Sequence, residues 1–290
     1  MNGNGGPRTA VVIGAGVVGL STAWFLQERG VTVTVVDRSG VAAGASWGNA
    51  GWISPGLTIP LNEPRTLWYG LRSLPDPAAP LYIPPALDPG PWSFLVRFAA
   101  HATWRSWGRA VRAGLPFNAE CLEAFDVLTD NGVAVPTVPA PVTAAFASRR
   151  ELTGLLRELR RAGAHGQRIE YEVLPGARLR ELVPQLSDRV TAGVRLAGQR
   201  YVDPGRFVHA LADAVTARGG ALRTGFEVTG VIPGSRGLTV HSRAGEALRA
   251  DAVVLATGAW LNRLGRAWGV RTPVRAGRGY SFTVPTERPV

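Results

Sequence analysis

The chain has 290 residues, of which 46% are hydrophobic and 18% are charged, a balance that excludes a largely disordered protein. Its formal net charge is +11, and all 32 basic residues are arginine. These arginines are spread from Arg8 to Arg288 without any motif for DNA or RNA, so a nucleic-acid partner is not expected. The length favours about two domains.

The N-terminal residues predict a strand–helix–strand unit. Residues 9–13 are apolar and predict a short buried strand, after which a glycine-rich turn leads into a helix that ends at Gly30. Residues 32–36 alternate valine and threonine and predict a second strand, which ends at Asp37. A length of about 30 residues is typical of such a βαβ unit.

The turn after the first predicted strand has the pattern G-x-G-x-x-G, formed by Gly14, Gly16 and Gly19. In dinucleotide-binding folds the first glycine permits a tight turn, the second lets the backbone approach a pyrophosphate, and the third lets helix and strand pack closely. The helix N-terminus supplies N–H donors to the phosphates. Asp37 would bind the hydroxyl groups of a ribose and repel a 2′-phosphate, which disfavours NADP.

A second motif, GASWG at residues 44–48, fits the nucleophile elbow of serine hydrolases with Ser46 as the nucleophile. His101 or His209 could complete a catalytic triad. That elbow needs a strand directly before the serine and a helix directly after it, and neither flanking segment has a suitable sequence. We therefore interpret the small residues as a loop that lies close to a flat, bulky ligand, with hydrogen bonds from Ser46 and Asn49.

The rest of the chain gives clearer predictions for helices than for strands. The proline-rich segment 56–92 predicts irregular structure, and residues 92–130 predict helices. Two later helices have strong starts, because Ser148 and Glu151 form a capping box and Asp203 is a good N-cap. Strands are predicted at 221–224, at 226–232, at 237–242 and in the apolar run before residue 256.

The cysteine and histidine content argues against a metal site. Cys121 is the single cysteine, so we expect neither an intrachain disulfide nor a cysteine-based metal site. The four histidines, His101, His165, His209 and His241, are far apart, and none forms a pair at metal-ligand spacing. We therefore predict no metal.

The expected location is the cytoplasm. The N-terminus does not resemble a signal peptide, and no apolar run reaches the roughly 18 residues of a spanning helix. The tryptophans and arginines within residues 92–114 leave peripheral contact with the inner face of the membrane open. Packing of these helices on a neighbouring domain is the favoured alternative.

Five segments together resemble a known family. They are GAGVVG at 14–19, VVDRSGVAAGASWGNAGWISPG at 35–56, YVDPGRFVHALADAV at 201–215, DAVVLATGAWL at 251–261 and GRGYSFTVP at 277–285. The sequence resembles the FAD-dependent D-amino acid oxidase (DAO) superfamily, and within it most closely the small subunits of bacterial D-amino acid dehydrogenases. The resemblance covers most of residues 8–285.

The resemblance implies an α/β fold, with α+β character in the second domain. A Rossmann-like FAD-binding domain would comprise residues 7–60 and 202–262. A mixed-sheet substrate domain, interleaved with the first in sequence, would comprise residues 61–201 and 263–290. Relatives of this kind continue well beyond the point that corresponds to Val290. We therefore expect a C-terminally truncated chain with unpaired strand edges, which binds FAD weakly and turns over poorly.

The resemblance also implies which residues form the site. Those expected to bind FAD are Gly14, Ala15, Gly16, Val17, Val18 and Gly19 at the pyrophosphate, Asp37 and Arg38 at the adenosine, Ser46 between ribityl chain and pyrophosphate, Asn49, Ala50 and Gly51 at the flavin ring, Val228 at the adenine, and Ala256, Thr257 and Gly258 in a second flavin-side turn. Tyr280, in a strand of the substrate domain, and Arg278, as a carboxylate partner, are weak candidates for contacts with the substrate. No catalytic acid or base is assigned.

The implied reaction is the oxidative deamination of D-amino acids. A hydride passes from the substrate Cα to flavin N5, and the imine hydrolyses to a keto acid and ammonia. The implied partners are an amino acid and an electron acceptor, either a quinone or oxygen. Three alternatives stay open: another amine such as glycine, sarcosine or hydroxyproline as substrate, an NAD-dependent dehydrogenase on the same nucleotide fold, and a non-catalytic remnant. The loop at 44–56 argues against the NAD-dependent enzyme.

Overall fold

The computed structural model describes residues 6–73, 88–277 and 279–280. In chain order its strands are β1 (Thr9–Ile13), β2 (Thr32–Val36), β3 (Trp52–Ile53), β4 (Val138–Pro139), β5 (Val142–Phe146), β6 (Tyr171–Pro175), β7 (Ala192–Leu196), β8 (Arg200–Tyr201), β9 (Ala221–Arg223), β10 (Val228–Gly234), β11 (Gly237–Ser242), β12 (Ala247–Ala250) and β13 (Ala252–Leu255). Its α-helices are α1 (Val17–Glu28), α2 (Pro64–Ser73), α3 (Pro89–His101), α4 (Trp104–Asp130), α5 (Arg149–Ala164), α6 (Gly176–Leu182), α7 (Pro204–Ala217) and α8 (Leu261–Gly265).

The chain divides into two compact units, each assembled from segments that are distant in sequence. The segments of unit 1 are Met1–Gly51, Asp126–Thr137 and Val202–Phe282. Those of unit 2 are Trp52–Phe125, Val138–Tyr201 and Thr283–Val290.

Unit 1 contains a parallel sheet with the strand order β13-β1-β2-β9. Strand β1 pairs with β13 on one side and with β2 on the other, and Ile13 is in register with both Leu255 and Val36. Because the three strands run in the same direction, their carboxyl ends meet at one edge of the sheet. The predicted strand–helix–strand unit is confirmed as β1, α1 and β2.

Both faces of this sheet are covered, which explains why β1 is almost entirely buried. Helix α1 buries Leu20 and Trp24 and packs against α7. An antiparallel sheet with the order β10-β11-β12 contributes Val240 to a second cluster, in which Val11 and Val36 of the parallel sheet are also buried. The sheet edge at the end of β1 is therefore held on a rigid, well-packed base.

Unit 2 contains two three-stranded sheets, β3-β8-β4 and β5-β7-β6, whose described pairs are all antiparallel. Helix α5 covers the second sheet, and its Leu152 and Leu159 are buried with Val194 of β7. The predicted cap of this helix is confirmed, because the Ser148 hydroxyl accepts a hydrogen bond from the Glu151 N–H at 3.3 Å.

The expected fold class is confirmed: the chain is a mixed α/β protein with a parallel sheet and covering helices. The prediction of irregular structure at 56–92 is wrong for Pro64–Ser73, which forms α2, and for residues 89–92, which form the start of α3. Proline is compatible with the first turn of a helix, where its missing N–H would have no partner. Residues 74–87 lie outside the described ranges. Within those ranges, no helix has both the length and the apolar character needed to cross a bilayer.

Candidate functional site

The turn between β1 and α1 is built from glycines that have no room for a side chain. A Cβ atom on Gly14 would lie 2.4 Å from the Ala256 carbonyl oxygen, and Gly14 has a φ of +117°. A Cβ on Gly19 would lie 1.9 Å from the Gly14 carbonyl oxygen. The short distance at Gly14 shows that the turn after β13 lies against the turn after β1. The short distance at Gly19 shows that α1 begins directly against the turn after β1. Both glycines are therefore required by close backbone approach.

The N-terminus of α1 is open. Its N-cap residue, Gly16, provides no side-chain hydrogen bond, and the first turn contains no acidic residue. The Val17 N–H donates to the Ser46 hydroxyl at 3.0 Å, whereas in the described part of the chain the N–H groups of Gly16 and Val18 have no acceptor. Free N–H groups at the positive end of a helix dipole are a ready anion-binding site.

Asp37 lies beside this helix start and is already engaged with the backbone. One carboxylate oxygen accepts from the Ala15 N–H at 3.0 Å. The other accepts from the N–H groups of Ser39 at 2.8 Å and Gly40 at 3.1 Å. Since each carboxylate oxygen has two acceptor positions, Asp37 can organise the turn and still accept from a ribose hydroxyl.

The GASWG segment has the structure of a loop and not of a nucleophile elbow. Residues 41–47 form turns, with no strand before Ser46 and no helix after it. The Ser46 hydroxyl lies at the start of α1, where a Cβ on Gly16 would approach it to 2.9 Å. Of the two histidines considered for a triad, His209 packs edge-on against Trp47, and His101 hydrogen-bonds the Arg97 carbonyl oxygen through Nδ1. The Ser46 hydroxyl accepts a hydrogen bond from the Val17 N–H instead of pairing with a histidine.

Asn49 shapes the remainder of this loop. Its side-chain oxygen accepts from the Gly51 N–H at 2.8 Å, and its amide nitrogen donates to the Ser46 carbonyl oxygen at 3.3 Å. Gly51 has a φ of +70°, and its carbonyl oxygen accepts from the Val202 N–H. Ala50 is exposed between Asn49, which is also exposed, and Gly51, which is buried.

The turn after β13 carries a polar group that lacks a partner. The Thr257 hydroxyl is buried, and no described residue hydrogen-bonds to it. The Thr257 backbone nitrogen lies 3.6 Å from the position of a Cβ on Gly14, which places this turn against the glycine turn. Buried hydroxyls are nearly always hydrogen-bonded, so this unpaired hydroxyl, carried by a turn that lies against the glycine turn, is a candidate for a ligand contact.

The other predicted residues are divided between this edge and the rest of unit 1. Arg38 follows β2 at the same edge, and its guanidinium carbon lies 4.2 Å from the centre of the Trp260 ring. Val228 is buried at the start of β10, in the cluster beneath the sheet. Tyr280 lies in no strand, contrary to expectation, and is 85% exposed. Arg278 lies outside the described residues.

Sequence reasoning missed Trp260. The available signal was the GAW tripeptide in the turn that follows an apolar strand, within a segment already assigned to the cofactor. Asp251 was also missed, at the other end of the same strand. Its carboxylate accepts from the Thr9 N–H, the Thr9 hydroxyl and the Arg8 N–H. The hydrogen bonds from Thr9 and then from Arg8 hold the pKa of Asp251 below its usual range.

These features fit the pyrophosphate and adjacent groups of FAD. The open start of α1 provides N–H donors for phosphate oxygens, and the glycines bring the backbone close. Asp37 retains capacity for a ribose, and the unpaired Thr257 hydroxyl needs a polar partner. In the described part of the chain, no cluster of histidine, cysteine, aspartate or glutamate could hold a metal ion.

Comparison with known sequences gives a family match over nearly the whole chain. Residues 9–290 match the family described as FAD dependent oxidoreductase (DAO). A D-amino acid dehydrogenase from Methylobacterium sp. is 32% identical over 284 residues, which are 95% of this chain and 66% of that protein. A D-amino acid dehydrogenase from Cereibacter sphaeroides is 34% identical over 284 residues, 95% of this chain and 64% of that protein. The chain thus spans about two thirds of the length of these relatives.

Solved structures show the same fold. Glycine oxidase from Geobacillus kaustophilus has a TM-score of 0.62 at 20% identity, covering 91% of this chain and 59% of that chain. L-Proline dehydrogenase from P. horikoshii has a TM-score of 0.56 at 18% identity, covering 91% of this chain and 56% of that chain. The family match, the related sequences and the shared fold agree, and the chain belongs to the DAO family of FAD-dependent oxidoreductases.

Proposed function

We propose that this chain carries the FAD site of an enzyme that oxidatively deaminates D-amino acids. The observation that carries this proposal is the polar edge at the end of β1, where the glycine turn before the open start of α1 lies against the turn that carries the unpaired Thr257 hydroxyl. The relatives named D-amino acid dehydrogenase support the choice of substrate class. The substrate Cα–H bond is broken, the amine becomes an imine, and water converts that imine to a keto acid and ammonia.

Within this proposal, the residues of unit 1 bind and orient FAD. The N–H groups of Gly16 and Val18 bind the pyrophosphate, and Thr257 donates to the same region. Asp37 accepts from the adenosine ribose while it holds the Ala15 N–H. FAD supplies the acceptor of the hydride, and the protein supplies orientation and electrostatics.

The remaining predicted residues complete the proposed site. Ser46 exchanges its bond with the Val17 N–H for a contact between ribityl chain and pyrophosphate. Asn49, which also keeps the loop in shape, would lie against the flavin ring with Ala50 and Gly51, and the backbone of Val228 would meet the adenine. The proposed FAD-binding domain remains residues 7–60 and 202–262, and the proposed substrate domain remains 61–201 and 263–290. Arg278 and Tyr280 stay candidates for substrate contact.

The proposal is tested by titrating the 290-residue chain with FAD and then adding D-alanine without oxygen. Because weak binding and slow turnover are expected of this chain, the flavin fluorescence should change only at high FAD concentration, and the visible flavin band should bleach slowly with D-alanine. L-Alanine is the matched control and should leave the band intact. A chain that binds NAD but not FAD would support the NAD-dependent alternative. A chain that binds FAD but is bleached by no amino acid would support a non-catalytic remnant.

A second substrate class has some support from the fold, because the similar structures include a glycine oxidase and an L-proline dehydrogenase. The same titration with glycine, sarcosine and hydroxyproline tests it. Faster bleaching by one of these than by D-alanine would replace the proposed substrate and leave the FAD site intact. Reoxidation of the bleached chain, by oxygen in one sample and by a soluble quinone in another, then identifies the acceptor.

We propose further that α3 contacts the anionic inner face of the membrane from the cytoplasm. None of its residues is buried within the described structure, and Trp92 and Val96 are 45% and 70% exposed. Arg97 adds a positive charge beside them. Exposed aromatic and basic side chains on one helix are typical of membrane-surface binding. Sedimentation with vesicles that contain phosphatidylglycerol should exceed that with phosphatidylcholine alone, and equal sedimentation would contradict the proposal.

A further inference from the structure

We propose that Trp260 is a positioning residue that holds the Arg38 guanidinium over the glycine turn, where Arg38 binds the adenosine diphosphate half of FAD. This inference rests on the proposed FAD site and assigns a role to a residue outside it. The two side chains come from opposite sides of β1. Their contact therefore brings a cationic group to the edge of the sheet at which β1 ends.

The strand order explains why the contact crosses the site. Arg38 comes two residues after β2, and Trp260 ends the short 3₁₀ turn that follows β13. Strand β1 lies between β2 and β13, so the contact spans two strand spacings, together about 10 Å. Two long side chains close this distance, with the guanidinium carbon 4.2 Å from the ring centre. The glycine turn that follows β1 lies between their backbones.

The guanidinium of Arg38 differs from those of the other arginines that lie over aromatic rings, because it is not paired with a carboxylate of any described residue. Three more arginines stack on aromatic rings in the described part of the chain, and each also pairs with a carboxylate; the pairs are Arg161 with Glu63, Arg218 with Glu28 and Arg223 with Glu246. In the residues that the structure describes, no carboxylate forms an ion pair with Arg38. Its neighbour Asp37 is occupied by three backbone N–H groups.

The contact with the Trp260 ring uses no hydrogen-bond acceptor, so it leaves the N–H donors of the Arg38 guanidinium available. These donors suit the oxygens of a phosphate. Arg38 is exposed and Trp260 is 49% exposed, so a ligand can reach the pair. Trp260 thus limits the orientations of a mobile side chain before the ligand arrives, which reduces the entropy lost on binding.

The test compares the binding of FAD with the binding of two parts of that molecule, ADP and FMN. FAD and ADP contain the adenosine diphosphate group, and FMN does not. We expect Trp260→Leu, which keeps apolar volume without a ring, to weaken the binding of FAD and ADP by about three- to tenfold, the range that a cation–π contact supplies. FMN binding should stay within about twofold of wild type. Trp260→Phe, which keeps a ring face, should restore most of the affinity for FAD.

A double-mutant comparison tests whether Trp260 affects FAD binding through Arg38. Arg38→Gln should weaken FAD binding in the wild-type background and have a smaller effect in the Trp260→Leu background. Equal effects in both backgrounds, or equal loss of FAD and FMN binding in Trp260→Leu, would overturn the positioning role. Wild-type protein that binds neither FAD nor ADP would instead contradict the proposed FAD site itself.

Discussion

Two helices of unit 1 begin in opposite ways. Helix α7 is closed by its own N-cap, because the Asp203 carboxylate accepts from the Arg206 N–H at 2.9 Å. Helix α1 follows Gly16, which has no side chain to close it, and the Val17 N–H is met by Ser46 from 29 residues away. A local cap stabilises a folded helix whether or not a ligand is bound, whereas an open start keeps donors and a positive dipole available to an anion.

The largest expected effect comes from removing the close approach on which the open start depends. Gly19→Ala places a Cβ 1.9 Å from the Gly14 carbonyl oxygen, so α1 must move away from the turn. We expect the free energy of unfolding to fall by about 1–3 kcal/mol or more, and FAD binding to be lost. Urea denaturation and FAD titration measure the two effects.

The matched control for this substitution is Gly154→Ala on α5. A Cβ there has no atom within 4 Å, so the better helix propensity of alanine should stabilise the chain by about 0.5–1 kcal/mol. A Gly19→Ala chain with wild-type stability and FAD affinity would contradict the close contact between α1 and its turn.

A smaller effect is expected at Asp37, which gives the open helix start its shape. Asp37→Asn replaces a carboxylate oxygen by an amide nitrogen that would face backbone N–H donors. Hydrogen bonds to charged groups are worth about 1.5–3 kcal/mol, so FAD affinity should fall by about tenfold or more. Asp213→Asn, on the exposed face of α7, is the control and should leave the affinity unchanged. Similar affinities for both variants would show that Asp37 has no part in binding.

The comparison of helix starts is tested directly by removing each cap. Asp203→Ala should lower the free energy of unfolding by about 1 kcal/mol, a typical loss for an N-cap, without changing FAD affinity. Ser46→Ala should instead weaken FAD binding, by about three- to tenfold for one lost hydrogen bond. Calorimetry with FAD, paired with thermal unfolding of the free chain, separates the two effects. A reversed result, with FAD affinity sensitive to Asp203, would remove the distinction between the helices.

The smallest expected effect concerns the far end of β13 and depends on pH. The pKa of Asp251 is lower in the folded chain than its usual value, because Thr9 and Arg8 hydrogen-bond the carboxylate. Its contribution is therefore present above the usual pKa of aspartate and is lost as the pH falls through the folded value. Asp251→Asn should have a shallower decrease of Tm between about pH 5 and pH 3 than wild type. Parallel Tm curves would contradict this linkage.

Structural features were predicted correctly from the sequence where the residues that determine them lie close together along the chain. The starts of α5 and α7 were predicted correctly because Ser148 and Asp203 cap N–H groups three residues ahead. The glycine spacing before α1 likewise predicted the first strand–helix–strand unit, which β1, α1 and β2 confirm.

Contacts between distant segments gave no comparable signal. The bond from the Val17 N–H to Ser46 and the stacking of Arg38 on Trp260 join residues that only the fold brings together. The sequence placed Ser46 and Arg38 near a cofactor through family resemblance, without indicating these partners. Helix α2 was missed because the prolines of the 56–92 segment predict loops, although Pro64 occupies the start of this helix.

The most direct test of the account is the thermal shift that FAD produces in wild type and in Thr257→Val. The Thr257 hydroxyl is buried without a partner among the described residues, so removing it should leave the free chain as stable as wild type or more stable. The same change should weaken FAD binding about tenfold or more, and therefore reduce the increase in Tm at a fixed FAD concentration. A Thr257→Val chain with an undiminished FAD shift would show that the polar edge at the end of β1 is not the FAD site.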